Sequence, residues 1–368
     1  MEYYDDMSKK LNILLISYYF PPSPSIGAVR INALFNFLKN EGYNVEVISS
    51  KFNSEKKQNT KQTKKVFKPS KYFRSIDRTV FSQYIFSNLK TLKQLNSQYD
   101  IIISSYKPIA SIILGICFKM KNKNSKLFIE QRDLISQFGR KKRLFPIHFI
   151  DKLIDKLYLS FADEIIVVSP SSKRKAEKFY KKKVNLIFNG LDLRKNYFKP
   201  LSGEIKILYA GNLSKVRNLN LICKHINSCD KKIELVVASK ENPKFFGGDY
   251  DFVKYEGFIS RIELERLIRD VNYLLILEGF DKDSEENIPG KLFEYLSYNK
   301  PIMANCSENS EIMKILLETK AGININKYEN FQKYLEIRKF NISSSINKYL
   351  RENQFKQYLK LINSYGKK

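Results

Sequence analysis

An α/β fold built from two doubly wound halves is predicted by three features of the sequence. Short apolar runs alternate with helix-patterned stretches along most of the 368 residues, the order that produces parallel sheets. The alternation opens at Asn12–Ser17 and restarts at Lys206–Ala210, after a polar connector, KPLSGE (199–204). The clearest unit, Tyr273 to Cys306, reads strand, loop, helix, strand and sets a loop at the carboxyl end of a strand. Open parallel sheets bind their ligands there. The length suffices for two ordinary domains. They are expected at 1–190, with 346–368 packing back on it, and at 200–345.

The first half begins with a buried strand, Asn12 to Ser17, then the loop YYFPPSPSIG and a helix from about Ala28 to Asn40. Glu41-Gly42 ends that helix, and Val45 to Ser49 completes a βαβ unit. Gly27 opens the helix without a side chain, so a ligand can approach the backbone amides closely. The loop lacks the G-x-G-x-x-G spacing of a dinucleotide site. Arg30 lies one turn into the helix, either reaching an anion or standing as a surface cation. Residues 51–75 are polar, basic and aperiodic, a long excursion that fits either a solvated loop or contact with an anionic lipid surface. Strands follow at 100–105 and 126–130 around a helix at 108–120. Gln131-Arg132-Asp133-Leu134 then occupies another carboxyl-end position, where Asp133 is either a cap or salt-bridge residue or a functional carboxylate. Four cations, Arg140 to Arg143, precede a helical apolar pattern at Ile147, Ile150, Ile154, Leu157 and Phe161. Such a pair means membrane docking or a helix packed into its own domain.

In the second half, strand Lys206 to Ala210 meets Gly211-Asn212-Leu213-Ser214-Lys215-Val216-Arg217 before a helix from about Asn218. Gly211 permits a tight turn, and Lys215 and Arg217 stand near a helix amino terminus, a natural seat for phosphate. Strands are expected at 232–239 and 252–259. After Leu277 comes an acidic loop, and Pro289 and Gly290 start the helix KLFEYLSY. Lys291 adds a charge in its first turn, and Glu294 shares its face. A carboxylate beside a phosphate seat can accept hydrogen bonds from a ribose diol. Glu286, eight residues before Glu294, could meet a second hydroxyl-bearing group such as a sugar. The alternative is a solvated acidic loop with a surface glutamate. Further helices are expected near 309–319, 328–338 and 346–365.

Glu286-x7-Glu294, followed by a helix and KPIMA, resembles the donor site of retaining GT-B glycosyltransferases of family 4. The version IPGKLFEYLSYNKPI is most similar to the branch that builds bacterial surface polysaccharides. The resemblance implies two Rossmann-like domains facing a cleft, with a carboxyl-terminal helix crossing back onto the first. It also implies metal-independent transfer of a hexose or aminohexose from a nucleoside-diphosphate sugar, UDP-linked, to a hydroxyl of a lipid-linked or glycan acceptor. No separate cofactor is expected. Gly27, Gly211, Asn212, Arg217, Gly290 and Lys291 fall where the family meets the donor phosphates and sugar, and Lys215 is a further candidate for the diphosphate. Phe258 and Ile259 fall where it seats the base; the structural alternative for Phe258 is core packing. Glu294 falls on the ribose, and Glu286 and Asp133 are the catalytic candidates, Asp133 in an Arg-Asp-Leu tripeptide facing the acceptor. Two departures stand out. Glu286 is followed by Asn287-Ile288-Pro289-Gly290 instead of Phe-Gly, and Asn212 replaces an arginine, leaving charge to Arg217. Asp281-Lys282-Asp283 has the DxD form of a metal clamp that belongs to a different fold, and reads as coincidence in an acidic loop.

Composition narrows the classes. A net charge of +27 favours anionic partners: phosphates, an anionic membrane face or nucleic acid. The lysines are scattered, and no zinc-finger spacing or RNP-type signature is present, which disfavours nucleic acid. The four cysteines form no CxxC pair and read as free thiols of a reducing, cytoplasmic compartment. Cys223, His225 and Cys229 share one expected helix without a fourth metal ligand nearby. The apolar run Ile101 to Phe118 is broken by Ser104-Ser105, Lys107 and Pro108, so it reads as strand and helix, not a membrane span. Two other functions stay open: a nucleotide-sugar epimerase on the same fold, and a basic, non-enzymatic polyanion-binding protein.

Overall fold

A computed structural model describes residues 11–23, 26–50, 61–63, 98–106, 108–132, 145–192, 195–201 and 203–366. The chain divides into two compact units, 1–188 with 355–368, and 189–354.

The first unit holds β1 (Asn12–Ser17), α1 (Ile26–Asn40), β2 (Asn44–Ser50), β3 (Lys61–Thr63), β4 (Ile101–Ser105), α2 (Ile109–Lys121), β5 (Lys126–Gln131), α3 (Phe145–Ser160), β6 (Glu164–Val167), α4 (Pro170–Tyr180) and β7 (Asn185–Leu186). The strands form one parallel sheet in the order β3-β2-β1-β4-β5-β6-β7. Successive side chains of a strand point to opposite faces, and here both faces are covered. Ile13, Leu15, Ile101, Ile103 and Phe128 enter one core with Leu34 and Leu38 of α1. Leu14, Ile16, Ile102, Leu127 and Ile129 enter another with Ile112 and Phe118 of α2 and Tyr158 of α3. Continuous apolar strands are the consequence of burial on both sides.

The second unit holds β8 (Ile205–Ala210), α5 (Asn220–Asn227), β9 (Ile233–Ala238), a 3-10 turn (Pro243–Phe246), β10 (Val253–Tyr255), α6 (Arg261–Asp270), β11 (Tyr273–Leu277), α7 (Lys282–Glu285), α8 (Gly290–Ser297), β12 (Ile302–Asn305), α9 (Glu311–Thr319), β13 (Gly322–Asn324), α10 (Tyr328–Tyr334) and a second 3-10 turn (Ser344–Tyr349). Its sheet is also parallel, in the order β10-β9-β8-β11-β12-β13. The last helix, α11 (Arg351–Gly366), starts in this unit. From Phe355 on it belongs to the first, where Phe355, Tyr358 and Ile362 join the core beside α1. Two parallel sheets with alternating helices and such a returning helix form the GT-B architecture.

Three sequence expectations are corrected. The strand expected over 252–259 is only β10, because Gly257 at φ +71° turns the chain away. The helix near 328–338 stops at Tyr334. Arg30 is neither an anion-seeking group nor a surface cation: it is 2% exposed, with Nε 3.1 Å from Oε2 of Glu130. It donates to the Phe188 carbonyl at 2.6 Å and to the Ile187 carbonyl at 3.3 Å. Ser105 and Tyr358 donate to the Glu130 carboxylate. Burial pushes the Glu130 carboxyl upward, but Arg30, Arg132 and these donors outweigh it and hold it below its ordinary value. One buried pair thus ties α1, β5, the end of β7 and α11 together.

The helix α3 is only partly inward. Ile154 packs on the core, while Leu153 and Leu157 are exposed. The cations Arg140 to Arg143 and most of 51–75 lie outside the described residues. Among the described residues no helix is long and apolar enough to cross a membrane. Cys223 and Cys306 are buried free thiols, and His225 bonds the Ile325 carbonyl at 2.8 Å while stacking on Phe331, a core placement.

The chain enters and leaves the second unit through a laced pair of segments. Leu191 N donates to the Tyr349 carbonyl at 2.9 Å, and Arg351 N to the Leu191 carbonyl at 2.8 Å. Gly190 sits at φ +70°, and a Cβ there would stand 2.8 Å from Cα of Arg351. Its lack of a side chain is what lets the two segments close.

Candidate donor-phosphate site

The carboxyl ends of β8 and β11 and the start of α8 bring four side chains together. Past Ala210, Gly211 adopts φ +155°, and a Cβ on it would lie 3.1 Å from Nζ of Lys291. Lys291 stands in the first turn of α8, and its ammonium lies 4.4 Å from the ring centroid of Tyr209. The ring face attracts a cation, and Tyr209 is itself fixed by donating to the Asn212 carbonyl at 2.7 Å. Burial pushes Lys291 down to about 7, the nearby Arg217 charge pushes the same way, and Glu278 opposes both.

Arg217 follows a tight turn in which Ser214 N donates to the Arg217 carbonyl at 3.0 Å and Arg217 N returns a bond of 3.1 Å. Its Nε and Nη2 donate to the two oxygens of Glu278 at 3.0 and 2.8 Å, a bidentate fork. Glu278, the residue after β11, is 1% exposed. It also accepts from Asn287 Nδ2 at 2.9 Å and Gly279 N at 3.3 Å. With four donors around it, the carboxylate is fully engaged.

Pro289 caps α8 at φ −66° and carries no side-chain acceptor for the first amides, so Gly290 opens a helix end whose partial positive charge adds to Lys291. One turn on, Glu294 forms an ion pair with Arg261, Nη2 to Oε1 3.2 Å, and accepts from the Tyr298 hydroxyl at 3.2 Å. Tyr298 stacks on Tyr197, just before the connector, with ring centroids 5.5 Å apart. Lys195 N and Tyr197 N donate to the carbonyls of Ser297 and Tyr298 at 2.6 and 2.9 Å. The segment leading into the connector is therefore fastened to the far end of α8.

Phe258 is 77% exposed, with Lys240 Nζ 4.8 Å from its ring centroid, so the core-packing alternative is excluded for it. Ile259 is half-buried. Ser260 then caps α6 in a reciprocal box with Glu263, which puts Arg261 in the first helical turn and against Glu294. The segment carrying the aromatic ring thus adjoins the Glu294 carboxylate.

The remaining candidates are placed as follows. Asn212 and Lys215 are exposed on the loop after β8. Glu286 ends α7 as a half-buried cap residue. Asp281 accepts from the amides of Asp283 and Ser284 at 3.1 Å, so the first carboxylate of the DxD sequence is a helix cap. In the first unit Gly27 faces the Arg132 guanidinium: a Cβ would meet Nη1 at 2.6 Å. The open face expected to admit a ligand there is occupied by a side chain, itself held by Nε donating to the Tyr106 carbonyl at 2.7 Å. Asp133 lies outside the described residues. Glu278 and Tyr209 are the site residues that sequence reasoning missed. The available signal was an acid immediately after five apolar residues, at a carboxyl-end position.

Residues 27–195 match Glycosyltransferase Family 4. Comparison with curated proteins finds no match. Among solved structures, sucrose-phosphate synthase from Thermosynechococcus elongatus superposes with TM-score 0.68 at 14% identity, over 96% of this chain and 99% of that one. A lipopolysaccharide outer core galactosyltransferase, WaaB, gives TM-score 0.65 at 15% identity, over 96% and 99%. HepE from Anabaena, in complex with UDP and glucose, gives TM-score 0.57 at 13% identity, over 96% and 100%. The chain thus carries a segment matching Glycosyltransferase Family 4 within a two-unit GT-B fold that it shares with these solved structures.

Proposed function

We propose that the protein is a retaining, metal-independent glycosyltransferase. It moves a hexose or aminohexose from a UDP-linked donor to a hydroxyl of a lipid-linked or glycan acceptor in surface polysaccharide synthesis. The observation that carries this reading is that Lys291, in the first turn of α8 beside Gly211, shares Tyr209 as a neighbour with Arg217, whose charge acts on it. Two cations and a helix amino terminus suit a diphosphate. Glu294 suits the ribose and the exposed Phe258 a base. The UDP and glucose held by the Anabaena structure of the same fold support this choice of donor.

Chemically, the seat lowers the barrier by stabilising the charge that develops on the departing diphosphate. Lys291 becomes fully protonated as the phosphates arrive, Arg217 supplies a fixed guanidinium edge, and the α8 amides add their partial charge. Glu286 and Asp133 remain the candidates for the sugar hydroxyls and the acceptor hydroxyl. On the acceptor side, the exposed Leu153 and Leu157 of α3, beside Lys152 and Lys156, support contact with an anionic lipid face.

The test is a titration with UDP, ADP and GDP, followed by transfer assays. UDP is expected to bind and to raise the melting temperature, and the sugar is expected to leave the donor only when an acceptor is present. Product NMR is expected to show the donor's anomeric configuration, with turnover unchanged by EDTA. Donor conversion without an acceptor would instead mark an epimerase. No binding of any nucleoside diphosphate would sink the reading altogether.

A further inference from the structure

Arg217 and Glu278 raise a question that the donor reading leaves open: why a cation offered to phosphate is already committed to a buried carboxylate. An unpaired arginine on a loop is a floppy anion receptor, since its long side chain loses rotamer freedom on binding. Here the fork uses Nε and Nη2 at 3.0 and 2.8 Å. Nη1 is left with no protein partner among the described residues, and the Arg217 side chain keeps 25% of its surface exposed. Glu278 cannot swing, because Asn287 and Gly279 hold it as well and its side chain has no exposed surface.

We propose that Glu278 is a positioning residue for the diphosphate seat: its buried carboxylate locks two nitrogens of Arg217 so that the third is presented to phosphate in one fixed orientation. The inference rests on the donor reading above and deepens it. Glu278 does not touch the donor; it acts through Arg217. Its negative charge is tolerable near a diphosphate only while Arg217 covers it. Two opposite effects follow. With Arg217 present, losing the carboxylate frees the guanidinium and weakens binding. With Arg217 absent, the bare carboxylate repels the diphosphate, and losing it helps.

The experiment is a double-mutant cycle on the full-length protein, read by calorimetric titration of UDP, with UMP as the control lacking the second phosphate. Glu278→Gln is expected to weaken UDP binding about tenfold and UMP binding less than threefold. Arg217→Ala is expected to weaken UDP more, about thirtyfold. In the Arg217→Ala background, Glu278→Gln is expected to leave UDP affinity unchanged or improve it. A merely structural glutamate would weaken binding by the same factor in both backgrounds, and that outcome overturns the proposal. So does a Glu278→Gln protein that binds UDP like the parent. Should the single variant not fold, the comparison of Arg217→Ala with the double variant still decides, because both lack the fork. If the parent itself binds no UDP, the failure belongs to the donor reading and not to Glu278.

Discussion

Lys291 keeps an ammonium where burial works against it. Its pKa of about 7 lies well below the ordinary lysine value, so part of the population is neutral at neutral pH. On the donor reading, an arriving diphosphate would raise that pKa, and binding would take up a proton. UDP affinity is therefore expected to fall as pH rises from 7 to 9, above the second phosphate ionisation, by up to about tenfold per unit. Calorimetry across that range should show the slope in the parent and a flat, weak profile in Lys291→Met. The same depressed pKa bears on folding. Its cost is full below about 7 and recedes as pH climbs toward the unfolded value. Lys291→Met is thus expected to gain about 1 kcal/mol in denaturant unfolding at pH 7, while losing UDP. At this scale the sequence was partly legible. Lys291 and Glu294 were readable because a helix repeats its face every three to four residues. Glu278 was not, because its meaning depends on Arg217, 61 positions away. Arg30 misled for the same reason, its partner Glu130 lying on β5, 100 positions away.

At the scale of elements, one buried polar contact carries particular weight. The Arg30–Glu130 pair fixes α1 to β5 and reaches both the end of β7 and α11. Glu130→Ala strands a buried guanidinium and is expected to cost about 3–5 kcal/mol in chemical denaturation. Replacing both members by apolar residues of similar volume should cost far less. Because Glu130 titrates below its ordinary value, its contribution is present above the unfolded carboxylate pKa and is lost as pH falls through the folded one. The two expectations that failed at this scale failed at glycine and at helix ends. Gly257 cut short what looked like an eight-residue strand, since β patterning alone says nothing of a left-handed backbone. The strands β1, β5 and β11 were readable almost to the residue, because burial on both faces forces an unbroken apolar run.

For the whole molecule, every residue of the candidate phosphate seat falls in one compact unit, Asn189–Gln354. A fragment spanning that unit is expected to bind UDP within about tenfold of the full chain by titration, while showing no transfer. Loss of binding in a folded fragment would mean that the first unit supplies essential donor contacts. The repeat of the α/β alternation after residue 199 made two halves visible in the sequence. The lacing of the two crossings was invisible there, because it joins Leu191 to Tyr349 and Arg351.

That lacing makes the second unit an insert with adjoining ends. A foreign module can be exchanged there with two cuts lying side by side, and it need bring only its own pair of bonded ends. Gly190 is the clasp: any bulkier residue in its place would push against Arg351 and prise the seam apart. If the donor reading holds, donor preference would travel with this unit as a cartridge, open to transplantation without rebuilding the sheet that receives it.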